Sequence, residues 1–490
     1  MKKNIISSSS LAIALLLGAS LSASAQYTTF NNSGNFTWNA APWSAGVPSI
    51  SPSLSGLIKG GGTITIDSTT TANATALIVG WTGNGTLNVT GGNLTVTGGG
   101  EKLTIGASAD NVSGILNQSG GTVTAPTVQF ALGGFSVLSG TYNLNGGTLA
   151  ANNVLMHTSN GTGNFNFNGG TLRSTDNGVF SVNATQAVTA TVQSGGAIFD
   201  TNGFTLVVNS ALANGGGGGG LAKNGAGTLT LNATNAYTGA TSINAGTLQL
   251  GNGGTAGMLS TSSAITNNGT LAINRSDAVV QGTDFSGAAI SGTGLFRQAG
   301  SGNTTLNIAN TYTGGTTLAA GTVIVSAANA LSTSGNITFT GGTLQFNSGG
   351  VQDYSARIKN STSAIRINTN GNNATFAGTI DSTNNAGLTK SGLGTLTLNA
   401  TNNTYTGLST VSAGTLQIGN SELSDNLGNS SFTVATGATL AFNRNANTTK
   451  FTNQSISGAG DVVFNGQSLG FYTFLPDYTG TLTNTGKTIV

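Results

Sequence analysis

Ionisable and nucleophilic side chains are scarce in this chain, and that bounds its chemistry. His157 is the only histidine and there is no cysteine. A thiolate nucleophile is therefore absent and a histidine-based metal cluster cannot be built. A Ser-His-Asp arrangement would have to use His157, with no nucleophile elbow around any serine. The enzymatic chemistry left open is polysaccharide cleavage, which needs several Asp with Arg or Lys on one face. Asp176 and Asp200 stand 24 residues apart with Arg173 nearby, and Arg357, Lys359 and Arg366 stand close to Asp353 and Asp381. With 13 acidic residues in the whole sequence, such groupings arise by coincidence. The expectation is a protein that is not an enzyme and uses neither cofactor nor metal. Other cradles fail on inspection. Gly486-Lys487-Thr488 mimics the end of a phosphate loop, but the glycine required earlier falls on Thr481. The glycine run 215–220 lacks the Asp of a calcium-binding nonapeptide.

The elements that could position these groups follow from composition. Of 490 residues 77 are Gly, 5 are Pro and only 15 + 13 = 28 are charged. Gly in a helix interior costs roughly 1 kcal/mol relative to Ala, so helix bundles and coiled coils are nearly excluded. Disorder driven by charge is excluded as well, because 37% of the residues are apolar and the formal charge is +2. Lys2 and Lys3, the run LAIALLL at 11–17 and the small residues Ala23-Ser24-Ala25 before Gln26 read as a secretory signal peptide over 1–25, cleaved between Ala25 and Gln26. Cleavage removes two lysines and leaves 13 basic and 13 acidic residues. A mature chain of zero formal charge has no basic patch for phosphates, so neither nucleic acid nor an anionic bilayer is an expected partner. An exported chain without cysteine must hold together by repetitive backbone pairing and a stacked apolar core.

Five copies of a ten-residue pattern, Gly-x-apolar-x-apolar-x-Gly-Gly-x-apolar with one polar exception, begin at Gly85, Gly114, Gly140, Gly163 and Gly335. The third and fifth residues (Leu87 and Val89, Tyr142 and Leu144, Phe165 and Phe167, Ile337 and Phe339) share one face of a strand. The Gly-Gly pair supplies a corner, and Leu94, Val123, Leu149, Leu172 and Leu344 begin the next strand. A unit of 23 to 29 residues that cannot bury its own apolar face implies stacking, and so an all-β, right-handed parallel β-helix, or β-solenoid, following the signal peptide. An outer-membrane barrel would need strands of about 9–11 residues and aromatic girdles, which this chain lacks. Asn88, Asn117, Asn143 and Asn166 occupy the residue between the two apolar positions. Stacked in register, they would form an outward ladder of amide-to-amide bonds. Such a ladder, like the outward Thr122, Thr148, Thr171 and Thr343, is either structural or a flat polar array for a repetitive ligand such as a glycan.

A longer unit recurs in the second half: LAKNGAGTLTLNATNAYTGATSINAGTLQL from Leu221, LFRQAGSGNTTLNIANTYTGGTTLAAGTVIV from Leu295 and LTKSGLGTLTLNATNNTYTGLSTVSAGTLQI from Leu388. These segments closely resemble the autotransporter-associated β-strand repeat, also called the passenger-associated transport repeat. The matching positions are a basic residue (Lys223, Arg297, Lys390) and a Gly (Gly227, Gly302, Gly394). There follow a Tyr-Thr-Gly (Tyr237 to Gly239, Tyr312 to Gly314, Tyr405 to Gly407) and a final Gly (Gly246, Gly321, Gly414). A worn fourth copy keeps Tyr478-Thr479-Gly480 behind Pro476. The resemblance implies the β-helical passenger of an exported Gram-negative protein, at the cell surface, in the outer membrane or released, acting as a stalk or adhesin. The partners implied are glycans or neighbouring cell surfaces. An outer-membrane translocator barrel joins them if the chain is a fragment, since 490 is reached without long amphipathic strands or a terminal aromatic residue. Residues 26–80, with Trp38, Trp43, Pro42, Pro48 and Pro52, read as an N-terminal cap and first coils, the tryptophans offering carbohydrate stacking as the sharper alternative. The expected order is then solenoid over 81–214, a flexible glycine joint over 215–220, and solenoid with the long repeats over 221–490.

Overall fold

The computed structural model describes residues 26–30, 35–41, 49–50, 53–97, 102–107, 111–132, 138–157, 161–181, 188–420, 430–443, 454–465 and 477–485. The signal peptide and its cleavage site at Ala25 lie outside the described residues, as do Pro42, Trp43, Pro48, Pro52 and Pro476. The fold is an all-β solenoid of parallel strands in about 16 turns. Helix enters among the described residues only as three-residue 3-10 turns, such as Trp38–Ala40 and Ser355–Arg357. The chain divides into two compact units, residues 1–248 with 258–260, and residues 249–257 with 261–490.

From Ser53 to Asn224 the strands of the first unit fall in order into three sheets, one strand to each sheet per turn. One turn reads Leu77–Trp81, Gly85–Val89, Asn93–Val96, and the next Leu103–Ala107, Ser113–Gln118, Thr122–Thr124. Each strand pairs in parallel with its counterpart one turn on, so Gly114 lies opposite Gly85 and Gly140, and Asn117 opposite Asn88 and Asn143. Register is fixed because a one-residue slip would turn every apolar side chain out to solvent. The predicted inward pairs are all buried, and Tyr142 stacks on Phe165 with ring centroids 5.1 Å apart. Phe167 lies 4.6 Å from Phe165 and 5.0 Å from Phe199. Leu94, Val123, Leu149 and Leu172 form the inner row of the third sheet.

The Gly-Gly corners stack as the strands do. Gly121 has φ of +64°, and a Cβ there would run into the carbonyl oxygens of Gly91 and Gly92 in the turn below. Glycine is needed on both counts, for conformation and for close approach. Inside the same corner Gln118 takes a position where the pattern predicts an apolar residue. Its amide donates to the Thr148 carbonyl at 2.9 Å and its oxygen accepts from the Tyr142 hydroxyl at 2.6 Å.

Among the described residues of 26–80 the first strands already pair as coils. Gln26–Phe30 pairs with Ser53–Ile58 and Asn35–Thr37 with Thr63–Ile66. Trp38 is buried, only 1% exposed, which leaves no indole face for a sugar. The glycine run 215–220 lies between Leu212–Asn214 and Leu221–Asn224, which pair in unbroken register with Thr189–Val192 and Ala197–Asp200. It forms a corner of one unit, and the division between units falls later in the chain, after Leu248.

In the second unit each turn of the long-repeat region shows two strands. Leu295–Gln298 and Asn303–Leu306 are followed by Thr316–Leu318 and Thr322–Val325, and Leu388–Ser391 and Thr395–Leu398 by Ser409–Val411 and Gly414–Ile418. The third side between them is not a strand but a segment carrying a buried Asn and Tyr.

Phe167→Ala removes a ring from the centre of the first unit's aromatic stack. Denaturant unfolding of the chain lacking residues 1–25 should show a loss of about 3–5 kcal/mol, while the outward Thr171→Ala changes stability by less than about 0.5 kcal/mol.

Candidate functional site

The long repeat is the most specific feature of the chain, and its residues converge on the solenoid interior. In the first copy the strand Leu221–Asn224 carries Lys223 inward, fully buried. Among the described residues no carboxylate forms an ion pair with its ammonium. It donates instead to three backbone carbonyls, Asn224 at 3.0 Å, Gly225 at 2.7 Å and Ala245 at 3.0 Å. The first two belong to the corner that follows the strand, and the third to the equivalent corner one turn on. Lys390 repeats the arrangement with Ser391 at 3.1 Å, Gly392 at 2.8 Å and Ala413 at 3.0 Å. Burial pushes each ammonium down to about 8, with the Asp200 charge opposing the shift at Lys223. Gly246 and Gly414 have φ of +66° and +64°, and a Cβ at either would come within 3 Å of the lysine nitrogen, at 2.7 Å and 2.9 Å. Glycine there is what admits the cation. At Gly227 and Gly394 a Cβ would strike the carbonyl of Phe204 and of Asn372 respectively.

The second copy departs from the residue expected. Arg297 is exposed, and the buried donor is its neighbour Gln298. Backbone pairing places Gln298 where Lys223 and Lys390 stand. Its carbonyl accepts from Ala319 N and Ala320 N, as that of Lys223 does from Asn244 N and Ala245 N. Its amide then donates to Gly300 and Gly302 carbonyls at 2.9 and 3.1 Å. The shared Gly lies four residues beyond Lys223, Gln298 and Lys390 but five beyond Arg297, a count that identifies the position from sequence.

Tyr237, Tyr312 and Tyr405 fill the third side and are buried. Each hydroxyl bonds the hydroxyl four residues on, Thr241 at 2.7 Å, Thr316 at 2.7 Å and Ser409 at 3.0 Å. Burial raises the Tyr312 and Tyr405 phenols above the ordinary tyrosine range, so they stay neutral. Two residues before each tyrosine stands a buried Asn that the sequence reading overlooked. Asn235, Asn310 and Asn403 accept from the backbone N–H of Leu212, Ile290 and Ile380 at 2.8–3.0 Å. Asn-x-Tyr and Tyr-x-x-x-Ser/Thr recur in all three copies, and that regularity was the available signal. The fourth copy has Pro476 and Leu482 at these positions. Its Tyr478 bonds the Gly460 and Thr481 carbonyls instead. Gly239, Gly314, Gly321, Gly302 and Gly407 sit at corners where a Cβ would meet neighbouring backbone.

The asparagines of the shorter repeat form a chain along the second sheet of the first unit. Asn117 Nδ2 donates to Asn88 Oδ1 at 2.9 Å, Asn143 to Asn117 at 2.7 Å and Asn166 to Asn143 at 2.7 Å. The outward Thr122, Thr148 and Thr171 stack on the third sheet.

The candidate acid residues are occupied in holding turns. Arg173 Nε lies 3.4 Å from Asp200, Asp176 caps Asn177 N at 2.7 Å, and Asp381 pairs with Lys359 at 2.5 Å. Asp353 accepts from Ser355 and Ala377 backbone N–H groups. Arg357 spends its guanidinium on the carbonyls of Leu331, Ser332, Ser334 and Gly335. Arg366 and His157 are exposed. Among the described residues no group of three or more acidic or histidine side chains is placed to hold a metal.

Lys223→Met keeps the side chain's bulk and orphans three corner carbonyls. It should lower stability at pH 7 by about 1–3 kcal/mol, read by denaturant unfolding. The unfolded chain keeps the two lysine protons to about pH 10.5 and the folded chain only to about 8. The unfolded state thus binds more protons between these values, and stability rises with pH across that window. The double variant Lys223→Met/Lys390→Met should flatten this rise.

With this geometry in place, comparison with known proteins locates the same segments. Residues 221–250, 296–325 and 388–418 match the passenger-associated-transport-repeat. A stretch of 68 residues is 50% identical to the adhesin BmaC autotransporter of Brucella suis biovar 1 (strain 1330). It covers 14% of this chain and 2% of that protein, so the chain spans a small part of the relative it resembles. No solved structure matches. The second matched segment opens at Phe296, in agreement with Gln298 as the third residue of the repeat. The chain is thus a β-solenoid protein that carries three passenger-associated-transport-repeats.

Proposed function

We propose that this chain acts as a passenger-type solenoid displayed at, or released from, the surface of a Gram-negative bacterium, where it serves as a stalk or adhesin. The observation that carries this reading is the construction of the long repeat. Its Lys or Gln, Asn and Tyr all point inward, the first two bonding backbone of their own and adjacent turns and the tyrosine a Thr or Ser hydroxyl four residues on, so the motif builds a turn that holds itself and templates the next. A chain made of such turns can fold progressively from one end, which suits passage through a membrane pore in extended form. An outer-membrane translocator barrel is the partner this route requires. The name of the relative from Brucella suis supports adhesion as the task at the surface. The engagement of Asp176, Asp200, Asp353 and Asp381 in turn-holding bonds favours a non-enzymatic role over polysaccharide cleavage.

The test is display in the native bacterium. An epitope placed at the exposed His157 corner should be cleaved by protease added to intact cells, and deletion of the gene should reduce attachment to host cells or abiotic surfaces. Lys223→Met/Lys390→Met should lower the surface fraction severalfold at unchanged total amount. A chain untouched by external protease in wild-type cells would sink the proposal.

A further inference from the structure

The second sheet of the first unit is set apart by the bonded asparagine chain on its outward face. Across its strands, from Asn35–Thr37 through Thr63–Ile66, Gly85–Val89, Ser113–Gln118, Ser139–Leu144, Thr162–Phe167 and Thr189–Val192 to Leu212–Asn214, no Lys, Arg, Asp or Glu occurs. The outward positions are mostly Thr, Asn and Ser, with Ile115 and Ala213 as apolar exceptions, set in parallel rows one strand spacing apart, about 4.8 Å. One row is the asparagine chain, Asn88, Asn117, Asn143 and Asn166, and beside it runs the row Thr86, Ile115, Thr141 and Asn164.

The amide chain has a direction. Each Asn donates one N–H to the oxygen of the Asn one turn earlier. A primary amide has two N–H donors and two acceptor lone pairs, so every inner rung retains one N–H and one lone pair for an outside partner. Those groups are held in place by their neighbours before any ligand arrives, so little side-chain entropy remains to be lost on binding. The result is a flat, uncharged, preorganised strip offering a donor and an acceptor at Asn117 and at Asn143, with the hydroxyls of Thr86 and Thr141 alongside on either side of Ile115.

We infer that this strip binds an uncharged, extended polysaccharide laid along the solenoid axis, its hydroxyls pairing with the asparagine amides and threonine hydroxyls. The repeat of an extended sugar chain is close to one strand spacing, so successive residues can meet successive rungs. A charged glycan is disfavoured because the face has no counter-charge to offset its desolvation. The inference deepens the adhesin reading and rests on it for biological meaning. It is tested on purified protein, so loss of surface display and loss of glycan binding are separate results.

The experiment is co-sedimentation of the purified chain lacking residues 1–25 with insoluble cellulose, chitin, β-1,3-glucan and starch, and a retention assay on immobilised polygalacturonate. Retention on at least one neutral polymer, unchanged by added salt, is expected. Thr141→Lys/Asn164→Lys places two charges on the strip and should weaken retention about tenfold or more, equivalent to losing one or two hydrogen bonds. Thr141→Val, which removes a hydroxyl without adding charge, should weaken it in the same direction if the lysine variant does not fold. Thr148→Lys, on the neighbouring sheet, should leave retention unchanged. Retention on no neutral polymer, retention on polygalacturonate alone, or equal loss in the Thr148→Lys control would overturn the inference. So would sedimentation velocity showing that the strip pairs two copies of the chain and is thereby covered.

Discussion

Every turn of this chain is one strand spacing thick and cannot bury its apolar face alone, so the whole structure depends on in-register parallel pairing between successive turns. That pairing dictates what each position tolerates. Leu87, Leu116, Tyr142 and Phe165 occupy one column because they are successive occupants of one inward site, and Asn88 to Asn166 occupy the adjacent outward one. The corners obey the same rule with backbone in place of side chains. A Cβ on Gly121 or Gly147 would strike carbonyl oxygens of the turn below, so glycine recurs wherever corners stack.

Stacked corners create a second demand. Tight turns aim carbonyls into the interior, where no water satisfies them, and an orphaned carbonyl is costly. At several corners the chain meets this with a buried donor. Gln118 does so in one copy of the shorter repeat, Gln298 in one long repeat and Lys223 and Lys390 in the others. The lysines give stronger, charge-assisted bonds but must lose hydration, which is why their protons are held less tightly than in water. Glutamine and lysine are interchangeable here because the task is donation to carbonyls, for which a positive charge is optional.

This division of labour bears on function. The features that recur most strictly point inward and are consumed by the fold, while the outward face of the second sheet is left without charge and with unspent amide and hydroxyl groups. A solenoid of this kind separates the residues that make it fold from those that face the surroundings.

Fold class, the strand-corner-strand unit, the buried pairs and the asparagine ladder were legible in the sequence, because inward and outward positions alternate with period two and recur each turn. Other features were decided only when turns met. The basic residue of the second long repeat was misplaced by one because Arg297 and Gln298 are both polar and only backbone register shows which faces inward. The glycine run 215–220 reads as a linker by composition, yet the strands on either side of it are locked to the preceding turn and make it a corner. Composition records conformational freedom, whereas tertiary pairing records whether that freedom is used. Trp38 could have faced a sugar or the core, and burial settled it. The sequence by itself determined the repeat and its periodicity, which are local properties of the chain. The tertiary structure decided which polar side chains satisfy the interior carbonyls and which remain free, because that depends on distances between residues a full turn apart.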